Sequence, residues 1–150
     1  MKIATLIARI LLGLLFLVFG LNGFLHFIPM TPPAGLAGQY IGALFVSHYL
    51  VFVMLVQIIG GALLLVNRFV PLALILLGPV LVNILLFHST MAPEGLPLAL
   101  FAAALWAILF YSVRHAFAGV LAQRLEPARD VQIRSQGSRV DAPVTRLHTQ

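Results

Sequence analysis

Three features of this 150-residue chain predict an all-α membrane protein, a bundle of four transmembrane helices with both termini cytoplasmic. The composition is 61% hydrophobic and only 9% charged, with a mean hydropathy of +1.07, so there are too few polar residues to cover a water-soluble globule. Four apolar runs, 10–28, 50–66, 69–87 and 96–113, contain no Asp, Glu, Lys or Arg. Each is long enough to cross a hydrocarbon core of ~30 Å at ~1.5 Å per residue. All nine Lys and Arg residues fall on one side of such a four-span arrangement, the side that the positive-inside rule assigns to the cytoplasm.

In lipid the backbone must bond to itself, so the runs read as helices, and the alternation of a β-barrel strand is absent. Lys2 and Arg9 precede the first run in the manner of a signal peptide, but the run is too long for one and no small-residue cleavage site follows His26. The outer segment 29–49 opens with prolines, and "AGLAGQYIGALF" after Pro33 reads as a short interfacial or re-entrant piece weakened by its glycines. Arg68 marks a tight inner turn between the second and third spans. Pro71 and Pro97 sit in the first turns of the third and fourth spans, where a missing donor costs little. Pro79 falls mid-span, kinks that helix and frees the carbonyl of Ile75. The outer loop 88–95 carries Glu94 as its only charge. One membrane domain, 1–125, is therefore expected. From Glu126 onward Arg, Asp, Gln, Ser and Pro prevail, so 126–150 reads as a disordered, solvated cytoplasmic tail whose four arginines also attract anionic lipid.

The polar residues inside the runs carry the functional question. By depth, His26, His48 and His88 end up at the outer boundary, Asn22 and Asn83 about one turn below it, and Gln57 near mid-bilayer. An amide in hydrocarbon is costly without a partner, so Asn22, Gln57 and Asn83 should face the bundle interior. Asn22 and His26, at i and i+4, would share a helix face, whereas Asn83 and His88, at i and i+5, would not. Taken singly, each amide reads as interhelical glue and each boundary histidine as a wet one. The segments "RILLGLLFLVFGLNGFLH" and "RFVPLALILLGPVLVNILLFH" echo each other from inner arginine to outer histidine, which aligns the two polar layers and raises a two-hairpin repeat as one reading.

Several chemistries are excluded. With no cysteine there is no disulfide, thiolate metal site or thiol redox chemistry. No nucleotide loop, zinc-peptidase helix or nucleophile elbow occurs, no span carries a carboxylate relay, and no catalytic residue stands out. The pI of about 10.8 comes from cytoplasmic arginines and not from a basic patch interleaved with aromatics, so no nucleic-acid partner is expected.

The arginine opening "RILLGLLFLVFGLNGF", the outer "HFIP", the stretch "QIIGGALLLVNRFVPLAL" and the closing "VNILLFH" resemble the DoxX family of small four-helix bacterial membrane proteins over roughly residues 9–113. That resemblance implies a multi-pass protein of the bacterial inner membrane. The family takes its name from a subunit of an archaeal thiosulfate:quinone oxidoreductase, and some relatives are associated with oxidative-stress assemblies. Its recurring polar residues would fall here on Asn22, Gln57, Asn83 and His88. Nothing in the chain shows thiosulfate chemistry.

The leading expectation is a membrane subunit, part of a redox or oxidative-stress assembly, that binds a quinone-like or other small amphipathic ligand in an outward-facing polar pocket. The pocket would be formed by Asn22, His26, Gln57, Asn83 and His88. Its main alternative is a non-catalytic scaffold for a membrane or cytoplasmic partner protein, and dimerisation through glycine faces is a further expectation. A weaker reading makes His26, His48 and His88 with Glu94 a metal or haem site.

Overall fold

The computed structural model describes residues 2–29, 31 and 33–117, and every regular element among them is helical. Five α-helices run in order: α1 (Lys2–Leu25), α2 (Gly35–Val46), α3 (Tyr49–Leu65), α4 (Val70–Thr90) and α5 (Leu96–Val113). Short 3-10 turns at Pro93–Gly95 and Arg114–Phe117 flank α5. The proposed tail lies outside the described residues. Helices α1, α4 and α5 with its flanking turns are each long and apolar enough to cross a membrane, which makes this a multi-pass membrane protein. Helix α3, at 17 residues, sits at the short end of the spanning range of roughly 17–25 and is preceded by α2, from which it is bent by 86°.

The expected runs map onto these helices with informative shifts. Helix α1 starts eight residues before the apolar run, taking in Lys2 and Arg9, and it stops at Leu25 because His26 adopts the left-handed conformation (φ 52°). Helix α2 is a genuine 12-residue helix despite its glycines, turned at Ser47 and the left-handed His48 (φ 60°).

Four helices pack in a closed ring, with α1 against α3 and α5, and α4 against α3 and α5. Helix α1 and α3 meet most closely, backbone on backbone. A Cβ on Gly61 would stand 2.7 Å from the Leu17 nitrogen and 2.8 Å from the Gly13 carbonyl oxygen, so only glycine fits there. Between α4 and α5 the indole of Trp106 lies against Gly78, and its N–H donates to the Leu74 carbonyl at 3.1 Å. Helix α4 therefore continues through Pro79, with an inter-helix hydrogen bond one residue before the carbonyl that proline leaves without its donor.

The turn from α3 to α4 shows how completely one end is satisfied. Helix α3 closes with a Schellman arrangement on Asn67 (φ 56°), in which Arg68 N–H donates to Leu63 O at 3.1 Å and Asn67 N–H to Leu64 O at 3.2 Å. Val66 N–H takes Ala62 O, and the half-buried Arg9 of α1 donates to Leu64 O and Leu65 O. All four terminal carbonyls of α3 are thus occupied, with a cation at the negative end of the helix dipole. Arg9 does more than mark a membrane face, as its position in the sequence implied; it ties α1 to α3.

The core is concentrated toward this arginine-bearing end. It holds Ala8, Leu12 and Phe16 of α1, Leu64 of α3, Ala73, Leu74, Leu77 and Leu81 of α4, Ala102, Leu105 and Leu109 of α5, and Phe117. On α3 the face that buries Gly60, Gly61 and Leu64 continues toward the other end as Gln57, Met54, Val53 and Leu50, all only half-buried. On α4 the face of Leu77 and Leu81 continues as Ile84 and His88, also half-buried. The α3–α4 seam loosens toward the histidine-bearing end.

Candidate functional site

The five polar residues singled out from sequence do not form one cluster, and local backbone chemistry explains each position. Asn22 is 2% exposed, and its carboxamide folds over the end of its own helix. Its Oδ1 accepts from Ile28 N–H at 2.6 Å and its Nδ2 donates to Ile28 O at 3.3 Å, so it clamps the segment after α1. His26 N–H bonds Asn22 O at 2.9 Å, but the left-handed turn carries the ring away, where Nδ1 lies 3.2 Å from Phe24 O and the side chain is exposed. The i, i+4 rule that put Asn22 and His26 on one face holds only within a helix, and the helix ends one residue too soon.

His88 is half-buried on α4. Its Nδ1 lies 2.9 Å from Ala92 O, its ring meets Phe87 edge-on at 5.1 Å, and Gly95 packs directly over it, leaving no room for a Cβ. If Nδ1 carries the proton to Ala92 O, Nε2 is the acceptor. His88 thereby fastens the α4–α5 loop. His48 is exposed at the α2–α3 bend and Glu94 is exposed in the 3-10 turn. Among the described residues no three His, Cys, Asp or Glu side chains gather as metal ligands would.

Two amides differ from Asn22 in leaving hydrogen-bonding capacity unused among the described residues. Asn83 turns outward on α4, not toward the core as its polarity implied, and finds Tyr40 of α2. Its Nδ2 donates to the phenol oxygen at 3.0 Å, and the phenol hydroxyl lies 3.3 Å from Oδ1. Tyr40 also stacks on Phe87, with centroids 5.7 Å apart. Tyr40 is the residue that sequence reasoning missed. Its signal was an aromatic hydroxyl in a segment too glycine-rich to be read as a firm helix.

Gln57 stands at the middle of α3, eight residues from either end, on the face that buries Gly60, Gly61 and Leu64. Gly20 of α1 lies opposite its stem; a Cβ there would come to 3.1 Å from Gln57 Cβ. Its carboxamide has no hydrogen-bond partner among the described residues, and it is not sealed from accessible space. Gly60 meets Leu77 across the seam, so Gln57 and Asn83 differ in depth by roughly 4–5 Å at 1.5 Å per residue. Helix α2 reaches both α3 and α4 above them.

Comparison with protein-family models, with curated proteins and with solved structures finds no match for this chain. The site rests on its own geometry: a half-buried amide without a hydrogen-bond partner among the described residues, an exposed phenol–amide pair between α2 and α4, and a stack of two aromatic rings beside it.

Proposed function

We propose that the chain is a four-span subunit of the bacterial inner membrane, both termini cytoplasmic, that binds a quinone-like amphipathic molecule between α3 and α4 beneath α2. The observation that carries this reading is Gln57. An amide at mid-depth on an interior face costs free energy unless something polar meets it, and no described side chain does. A quinone suits the arrangement: a flat ring to lie along Phe87 and Tyr40, carbonyl oxygens to accept from Gln57 Nε2 and Asn83 Nδ2, and an apolar tail that leaves through the loosened seam into lipid. The chain supplies binding and orientation. With no cysteine for redox chemistry, it relies on a partner for electrons, as the resemblance to the DoxX family also implies.

The single tryptophan, Trp106, packs on α4 at Gly78 and reports quinone proximity by quenching. Titrating a short-chain benzoquinone into the purified full chain should give saturable quenching. Gln57→Leu should weaken it roughly tenfold, since a hydrogen bond to a dry site is lost and an apolar group put in its place. The same variant should melt no lower than wild type, because it removes an unpaired amide. Identical titrations of wild type, Gln57→Leu and Asn83→Leu would remove this reading and leave a membrane scaffold for a partner protein.

A further inference from the structure

At the arginine-bearing end, the seam between α1 and α5 holds an open groove of about 370 Å³ lined by Ala4, Thr5, Ala107, Ile108, Tyr111 and Ser112. It shares none of its lining residues with the surroundings of Gln57, whose stem meets Gly20 further along α1. Small residues make it: Ala4 and Ala107 leave a trough where larger side chains would close the contact. Arg114, two residues beyond Ser112, packs on Tyr111, which lines the groove. One Nη1 hydrogen donates to Tyr111 O at 3.1 Å, and the guanidinium lies over the Tyr111 ring, 4.1 Å from its centroid. A guanidinium has five N–H donors, so most remain directed at the surroundings.

Depth identifies what meets it. Arg9 caps α3 where that helix ends, and Ala4 and Thr5 lie one turn or more beyond, roughly 6–7.5 Å further along α1. The headgroup layer of a bilayer extends roughly 5–7 Å past the hydrocarbon on each side. With the hydrocarbon boundary at the end of α3, the groove would open at the level of lipid phosphates, its apolar floor toward the acyl chains.

We infer that this groove binds one anionic phospholipid, its phosphate paired with Arg114 and the upper part of one acyl chain lying along Ala4, Ala107 and Ile108. Charge complementarity selects a lipid over a second copy of the chain, because a parallel copy would bring another arginine-bearing end against Arg114. The first turn of α1, the positive end of its dipole, forms the opposite wall and adds to the same field.

The test is native mass spectrometry of the full chain released from vesicles of equal phosphatidylglycerol and phosphatidylcholine with matched acyl chains. Wild type should retain one phosphatidylglycerol in preference to phosphatidylcholine by roughly fivefold, the weight of one arginine at a membrane surface. Arg114→Gln should abolish the preference, Arg114→Lys should keep most of it, and Ala107→Phe should fill the trough and lower retention of both lipids. Raised salt during release should reduce the preference. Equal retention of the two lipids by wild type, an unchanged preference in Arg114→Gln, or lipid-free dimers would overturn the inference. Arg114 is exposed, so its substitution leaves the bundle intact and keeps the result decisive.

Discussion

A histidine in the left-handed region is a strained choice, and the chain makes it twice, at His26 (φ 52°) and His48 (φ 60°). Both sit where a helix stops, positions that glycine fills at least cost. His26→Gly should therefore raise stability by up to about 1 kcal/mol, whereas Asn22→Leu should lower it by about 1–3 kcal/mol by stranding Ile28 N–H. Thermal melts in one detergent check the pair, and opposite signs are the expected result. Both residues stood out in the sequence for their polarity, but polarity alone could not say that Asn22 would satisfy its own chain's turn while His26 pointed away. That depended on where α1 ends, and boundaries are set by caps that the apolar run does not reveal.

Elements repeat the lesson on a larger scale. The four apolar runs were legible because hydrocarbon demands length and apolarity, and helices α1, α3, α4 and α5 lie on them. Helix α2 was not, since its glycines argue against a helix and its tertiary contacts, Tyr40 on Asn83 and Phe87 and packing against α3, leave no mark in the sequence. Pro79 was read correctly as an interior proline, but its consequence is shared with Trp106, a partner 27 residues away in sequence, bonded to the Leu74 carbonyl. Pro79→Ala restores a donor for Ile75 O and should raise stability by about 1–3 kcal/mol. It should also weaken quinone quenching roughly threefold by moving Asn83 and Phe87 relative to α2. Raised stability with unaltered quenching would make Pro79 incidental to the site.

For the whole molecule, composition revealed the solvent, and the one-sided arginines imply an orientation that single cysteines can check. Cysteines at Thr31 and Ser89 should react with an impermeant thiol reagent applied to intact cells, and one at Ser135 should not; labelling at Ser135 alone would reverse the topology. The distribution of packing could not be read from sequence. The core crowds the end where Arg9 caps α3, and the α3–α4 seam loosens toward the other end, because both outcomes depend on which helices become neighbours. Gln57, without a hydrogen-bond partner among the described residues, lies on that looser stretch of α3, and the proposal of a quinone-binding subunit rests on it. The most direct test is cross-linking in native membranes with a photoreactive benzoquinone, followed by mapping of the modified peptide. Attachment within 50–57 or 83–88, competed by unmodified quinone and lost in Gln57→Leu, is the predicted result; attachment elsewhere, or none that quinone competes, would contradict it.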